Sequence, residues 1–259
     1  MPATDLPLLI EAARAAGEIA CGFVGRTAQR WDKPGGAGPV TEADLAVNTM
    51  LEAQLRAARP DYGWLSEETA DDRSRLGTTR SFVVDPIDGT RGFLSGSGEW
   101  TVAIAVVEAG RPVAAALYRP VGDDLYVAIP GHGTRLNGQP VSISSRDRLK
   151  GSSVAGPKSI AARAGLTATG LSHAGYVPSL ALRLALLAEG RIDLAVVREN
   201  ACDWDLAAAD LLVQEAGGRL EDLDGRALAY NRASVRHPAL VAGPAALVDP
   251  LRPILAELM

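Results

Sequence analysis

A buried strand that runs straight into two carboxylates is the tightest constraint on how this chain can fold. Residues 81–85, Ser-Phe-Val-Val-Asp, read as a short apolar strand, and Asp85-Pro86-Ile87-Asp88-Gly89-Thr90 continues it. Two ionised carboxylates held close repel unless one is protonated or a cation lies between them. Pro86 stiffens the segment. Gly89 and Thr90 offer backbone N–H groups to an anion if a helical turn starts there, and the Thr90 hydroxyl could orient a water. A third carboxylate, Asp205, follows Trp204 at the head of an Ala-rich helix far along the chain and could close the same nest. Oxygen ligands of this kind suit Mg²⁺ beside a phosphate. The plainer reading is a decorated turn, because Asp-Pro and Asp-Gly are common turn dipeptides.

The remaining pattern supplies elements around that nest. Leu6, Leu9, Ile10, Ala13, Ala16, Gly17, Ala20 and Val24 recur at helical spacing and predict an amphipathic helix over 5–24. Residues 31–40 are rich in Gly and Pro and predict a mobile loop. Thr41 is placed to cap a helix over about 43–58, with Asp44 at the capping-box position. Strands are expected near 100–108, 112–119 and 124–129, and Asn137-Gly138 marks a hairpin, giving an antiparallel meander. Beyond about 152 the pattern alternates. Strands near 152–156, 192–197 and 239–242 are interleaved with helices at 179–189, 205–216 and 245–257. The polar stretch 144–152 then divides an N-terminal α+β lobe, residues 1–148, from a C-terminal α/β lobe, residues 149–259.

Composition narrows the class of partner. A chain of 259 residues suits one large domain or two tightly packed lobes. The net charge of −5 argues against nucleic acid or an anionic membrane as partner, since both need a basic field. A small anionic substrate remains compatible, because bound cations can invert the local charge. Cys21 and Cys202 form no CxxC pair, so neither a disulfide framework nor a structural zinc site is expected. Reduced thiols, no signal peptide and no apolar stretch of about 18 residues fit a cytoplasmic location without a membrane anchor.

Three further segments are ambiguous alone. In Leu65-Ser66-Glu67-Glu68-Thr69, the Glu pair could supply a ligand at a strand end, although such a pair is usually solvated surface. Asp44 reads first as a helix-capping residue near a positive helix end. Asp205 reads first as a cap of the helix it opens, which would still aim its carboxylate close to where an anion binds.

In combination they are specific. Pro39-Val40-Thr41-x-x-Asp44, Ser66-Glu67-Glu68, DPIDGT and Trp204-Asp205-x-Ala207-Ala208 closely resemble the inositol monophosphatase family. The likeness extends over Glu189-Gly190-Arg191-Ile192-Asp193 and Glu215-Ala216-Gly217-Gly218, essentially the whole chain. It implies an α/β (α+β) layered αβαβα sandwich of the sugar-phosphatase type and Mg²⁺-dependent hydrolysis of a phosphomonoester. It implies two or three Mg²⁺ ions, held by Glu67, Asp85, the carbonyl of Ile87, Asp88 and Asp205. Gly89 and Thr90 would hold the phosphate. Asp44, paired with Thr90 and acting with Glu67, would help activate water. Lys33 sits where relatives also carry a lysine, Li⁺ inhibition is expected as a family trait, and both monomers and homodimers occur among relatives.

Substrate choice rests on finer likenesses. Gly89-Thr90-Arg91-Gly92-Phe93 and Gly98-Glu99-Trp100-Thr101-Val102 look most like the bacterial CysQ-type 3′(2′),5′-bisphosphate nucleotidases, which act on adenosine 3′,5′-bisphosphate. Inositol phosphatases usually show Thr-Asn-Phe at the first of these. Residues 175–183 fit the family's substrate-contact helix, with Ser179 as a contact, but Pro178 departs from the usual start. Inositol-specific relatives place a Glu several residues before Trp-Asp; here Val197 or Arg198 aligns there. An Arg suits a second phosphate bidentately. In a shifted register Glu199 would take that place, which keeps inositol-1-monophosphatase as the alternative, followed by fructose-1,6-bisphosphate or another sugar phosphate. A non-catalytic metal- or phosphate-binding protein is the remote alternative, disfavoured because the expected ligand set is complete. His132, His173 and His237 lie in none of the motifs.

Overall fold

The computed structural model describes residues 4–24, 29–32, 39–161 and 164–258. In chain order these form α1 (Leu6–Cys21), β1 (Arg30–Asp32), β2 (Pro39–Thr41), α2 (Glu42–Ala58), β3 (Gly63–Ser66), β4 (Arg80–Asp88) and α3 (Thr90–Ser95). Then follow β5 (Thr101–Glu108), β6 (Arg111–Arg119), β7 (Asp124–Ala128), β8 (Thr134–Leu136), β9 (Gln139–Val141), β10 (Ser153–Ala155), α4 (Lys158–Ala161) and α5 (Ala164–Thr167). The chain closes with β11 (Ser172–His173), α6 (Leu180–Ala188), β12 (Leu194–Val197), α7 (Asp203–Glu215), β13 (Arg219–Asp222), β14 (Leu240–Gly243) and α8 (Ala245–Leu258).

The meander forms a seven-stranded sheet in the order β3-β4-β5-β6-β7-β8-β9 among the described residues, antiparallel except where β3 runs parallel to β4. Its central strands are apolar on both faces, which an antiparallel strand requires only when both faces are covered. In β5, Val102, Ile104 and Val106 pack with α1 and α2, while Ala103, Ala105 and Val107 pack on the opposite side with α6 and α7. The small alanines of that second face let the helices approach closely. Among the described residues the C-terminal half forms a five-stranded sheet, β11-β10-β12-β14-β13. Its inner face shares the core of α6 and α7, and its outer face packs with α8 and with Ile160 and Leu166. The resulting order of layers is helix, sheet, helix, sheet, helix, the αβαβα sandwich expected from the family resemblance. Residues 142–152, between the two sheets, form no helix or strand.

The expected helices and strands of the meander are present within a few residues, and the Asn137-Gly138 hairpin joins β8 to β9. Several regions differ, among them the stretch after β10, where α4, α5 and β11 form with no expected counterpart. The ends of the 31–40 loop pair as β1 and β2, Trp31 opposite Val40, because the antiparallel return to the Thr41 cap brings them together. Residues 33–38, including Lys33, lie outside the described residues. β13 pairs with β14 although its Arg-Leu-Glu-Asp sequence carries little strand signal; the register Leu220 opposite Ala242 supplies its apolar contact. The helix expected from 205 begins two residues earlier, at Asp203.

Candidate active site

Residues three apart on a regular strand point to opposite faces. β4 avoids this with an irregularity at Pro86-Ile87. Asp85 pairs with Ala103 and Asp88 with Thr101, so β4 carries one residue more than its partner. Such a bulge re-aims side chains, and here it turns both carboxylates to one side. Asp205, on the first turn of α7, joins them: one oxygen from each of Asp85, Asp88 and Asp205 lies within 4.8 Å of the others. Asp205 also accepts from Cys202 N at 2.7 Å, closing the capping box of α7. The capping role read from sequence and the cluster role are therefore filled by the same carboxylate.

The electrostatics of the cluster are unfavourable for protein alone. Asp85 is buried; Oδ1 accepts from Ile87 N at 3.1 Å, and Oδ2 is buried without a hydrogen-bond partner. Burial, followed by the charges of Glu67, Asp88, Asp205 and Asp44, holds its carboxyl well above the usual carboxylate range. Burial also pushes Asp88 up to about 6, against the opposing hydrogen bonds from Ser179 and from the amides of Ala181 and Leu180. An orphaned carboxylate oxygen among converging carboxylates fits a hard cation with oxygen ligands.

Four other segments converge on this point. Because β3 and β4 are parallel with Ser66 beside Val84, the residue after β3, Glu67, emerges beside Asp85, and its amide donates to Val84 O at 3.3 Å. The turn carrying Glu67 is pinned from α2: Ser66 Oγ donates to Asn48 Oδ1 at 2.6 Å and Asn48 Nδ2 donates to Thr69 Oγ1 at 3.0 Å. One turn earlier on α2, Asp44 is fully buried, accepting from Thr41 N at 2.8 Å and Thr41 Oγ1 at 2.5 Å. Its other oxygen accepts from Thr90 Oγ1 at 3.5 Å, and that hydroxyl also lies 3.3 Å from Ile87 O. Gly89 ends β4 with φ +90° and caps α3; a Cβ there would meet Glu99 O at 2.9 Å and Ser179 N at 3.0 Å. Ser179, the N-cap of α6, donates to Asp88 Oδ2 at 2.5 Å, and Ala181 N donates to the same oxygen at 2.6 Å. The residue read as a substrate contact thus touches Asp88 and is buried.

Of these groups, Glu67, Asp88, Gly89, Thr90 and Asp205 line an open cleft of about 390 Å³, and the part they line is taken as its inner end. Its outer wall includes Arg91, Tyr176, Pro178, Arg183, Arg198 and Glu199. Arg198 is exposed and donates to Ser159 Oγ at 2.6 Å, while Val197 is buried at the end of β12. Arg183 closes the segment 175–183 that resembles a substrate-contact helix but was given no role of its own there; its i+4 spacing from Ser179 fits its place in the cleft lining. Two other contributors were missed. Asn48 reads as an ordinary helix residue. His237, which sits in no motif, contacts Asp203 Oδ1 at 2.7 Å and so braces the start of α7. Cys21 and Cys202 are free thiols, and among the described residues no helix is long and apolar enough to cross a membrane.

Comparison with known proteins places the chain in a family. The model of the inositol monophosphatase family matches residues 2–251. An inositol-1-monophosphatase of Rhizobium meliloti is 34% identical over 200 residues, covering 74% of each chain. A histidinol-phosphatase of Mycobacterium tuberculosis is 34% identical over 244 residues, 89% of this chain and 92% of that protein. Among solved structures, the extragenic suppressor protein suhB from Bartonella henselae superposes with a TM-score of 0.87 at 29% identity, covering 99% of this chain and 100% of that one. A match over almost the entire chain, with the same fold and a converging set of carboxylates, makes this protein a member of the inositol monophosphatase family and a phosphatase.

Proposed function

We propose that the protein is an Mg²⁺-dependent phosphomonoesterase, its lobes 1–148 and 149–259 meeting at the carboxylate cluster, with 3′(2′),5′-bisphosphate nucleotides as substrate. The observation that carries the metal-dependent reading is the meeting of Asp85, Asp88 and Asp205, with one buried oxygen of Asp85 left without a partner. Glu67, Asp85, the Ile87 carbonyl, Asp88 and Asp205 would hold the metal. Bound Mg²⁺ would neutralise charge on the phosphoryl and leaving oxygens and acidify a water. The backbone N–H groups of Gly89 and Thr90 bind and orient the phosphoryl oxygens. Thr90 Oγ1 keeps its proton toward Asp44 Oδ1, which leaves its lone pairs to take a hydrogen from the attacking water. Asp44, fixed by Thr41, receives that proton relay, and Glu67 orients the water from the other side. Ser179 holds Asp88 in place.

The nucleotide reading draws on Arg91 and Arg198 at the rim of the cleft, where a guanidinium suits a second phosphate. A second reading, inositol 1-phosphate, is favoured by Glu199, which also lines the cleft and whose carboxylate can accept from ring hydroxyls. Phosphate release with Mg²⁺ from adenosine 3′,5′-bisphosphate and inositol 1-phosphate, with and without Li⁺, tests both. A preference for the nucleotide, with inhibition by Li⁺, is expected. A preference for inositol 1-phosphate replaces the first reading by the second, and release that is indifferent to Mg²⁺ removal overturns the metal-dependent assignment.

A further inference from the structure

We propose that Asn231 is a positioning residue for the carboxylate cluster, tying the segment that carries Glu67 to the helix that carries Asp205. This rests on the metal-dependent reading above and goes beyond it by a residue that lies in none of the motifs. Asn231 is in the connection between β13 and β14 and has φ +54°, a left-handed conformation that asparagine adopts more readily than most residues. Its amide donates to Asp203 Oδ2 at 2.8 Å. Its side chain takes Arg75 at two points: Oδ1 accepts from Arg75 Nη1 at 2.7 Å, and Nδ2 donates to Arg75 O at 3.4 Å.

Each end of this tie sits next to an expected ligand. Asp203 is buried in the first turn of α7, two residues before Asp205. It is held further by His237 at 2.7 Å and through its own amide, which donates to Val235 O at 2.9 Å. Arg75 is also buried; its Nε and Nη2 donate to Asp71 at 3.0 and 2.7 Å, and Nη2 donates to Arg232 O at 2.9 Å. Asp71 follows Glu67 by four residues, and the turn between them is pinned at Thr69 by Asn48. Glu67 and Asp205 thus reach Asp85 from distant parts of the chain with the same charge. Like charges brought together push their segments apart until a cation neutralises them. Hydrogen bonds outside the cluster can hold both segments at the spacing the cation needs, and outer contacts of this kind preset a metal site. Asn231 joins both segments without adding charge.

The test is calorimetric titration of the full chain with Mg²⁺ alone. Asn231→Gly keeps the left-handed backbone and the N–H to Asp203 but removes both bonds to Arg75. It should raise the Mg²⁺ Kd by on the order of 10-fold. Asn231→Asp, which keeps an acceptor for Arg75 Nη1, should restore it to within about 3-fold of wild type. Glu215→Gln is the structural control. Glu215 ends the same helix and accepts from the amides of Gly131, His132 and Gly133. Its loss should lower the melting temperature yet move the Mg²⁺ Kd by less than about 2-fold. An unchanged Kd in Asn231→Gly, or an equal rise in Glu215→Gln, overturns the proposal. Should Asn231→Gly fail to fold, reciprocity supplies a measurement on the wild type: a tie that favours the metal is favoured by it. Saturating Mg²⁺ should then slow hydrogen exchange at the Asn231 amide, and exchange indifferent to Mg²⁺ overturns the tie. If the wild type binds no Mg²⁺, the metal-dependent reading fails, and the coupling is read without metal. Faster exchange at residues 67–71 in Asn231→Gly than in wild type or Asn231→Asp supports it; unchanged exchange overturns it.

Discussion

The inner and outer ends of the cleft are built by different means. At the inner end each carboxylate of the cluster is tied to backbone: Asp85 to the Ile87 amide, Asp88 to the Ala181 amide, Asp205 to the Cys202 amide. At the outer end the charges are long side chains, three of them (Arg91, Arg198 and Glu199) exposed, and among the described residues of that wall Arg183 is the one held by a backbone carbonyl. On the proposed reading, the groups that would place the reacting atoms are anchored to main chain, whereas those that would recognise the substrate can be exchanged without moving the frame.

That contrast can be broken at its strongest point first. Asp88→Asn keeps an acceptor for Ser179 and Ala181 but removes a charge from the cluster. Turnover is expected to fall by on the order of 10³-fold, about 4 kcal/mol in the barrier, with an unchanged circular dichroism spectrum. Near-normal turnover would mean that the inner end is not a metal site. Gly89→Ala probes the frame itself. At φ +90°, with Glu99 O 2.9 Å from the added methyl, it should lower stability by roughly 2–4 kcal/mol in urea titrations, and a neutral result would show that the β4–α3 turn can relax.

A third variant sharpens the comparison with a buried carboxylate away from the cleft. Asp210 is fully buried and accepts from Tyr230 OH at 2.9 Å and Gln214 Nε2 at 2.8 Å. Burial pushes it up to about 6 from its ordinary 3.8, against those hydrogen bonds. The folded chain therefore binds this proton more tightly than the unfolded chain. The corresponding stabilisation is complete below about 3.8 and is lost as pH rises through about 6. Asp210→Asn, with the Gln214 amide turned to accept, should raise stability at pH 8 by up to about 3 kcal/mol and flatten the melting temperature across that window. An unchanged pH profile would rule out Asp210 as its source. The smallest effect is expected at the rim: Arg198→Glu should weaken adenosine 3′,5′-bisphosphate more than inositol 1-phosphate, by only a few-fold, or about 1 kcal/mol. An equal loss on both would separate Arg198 from the second phosphate.

The inner end was legible in the sequence because its residues occupy turns and caps, where local chemistry restricts both residue type and direction. Thr41 and Asp44 form the capping box that their spacing predicts. Asp85 and Asp88 converge, but the means, a bulge at Pro86-Ile87, shows only in the pairing of β4 with β5. The outer end was hardly legible. Arg183 is covered only by the likeness of residues 175–183 to a substrate-contact helix, and nothing local shows that Arg198 and Glu199 both line the cleft, because that depends on how α6 and β12 pack. β1 and β2 were missed for a similar reason: three-residue strands in a Gly-Pro context owe their pairing to the route of the chain, not to propensity.

The position of α6 and α7 between the sheets has a consequence for the order in which this chain can be made. A ribosome delivers all seven strands of the first sheet before either helix, so the Ala103, Ala105 and Ala115 face meets water until residues 180–215 emerge. The nascent sheet is thus a half-finished sandwich with one greasy side exposed, a form prone to self-association. Asp205 arrives with the very helix that covers that side. Completion of the carboxylate cluster and protection from aggregation are therefore one late event in biosynthesis, and a chain stalled before α7 would lack both.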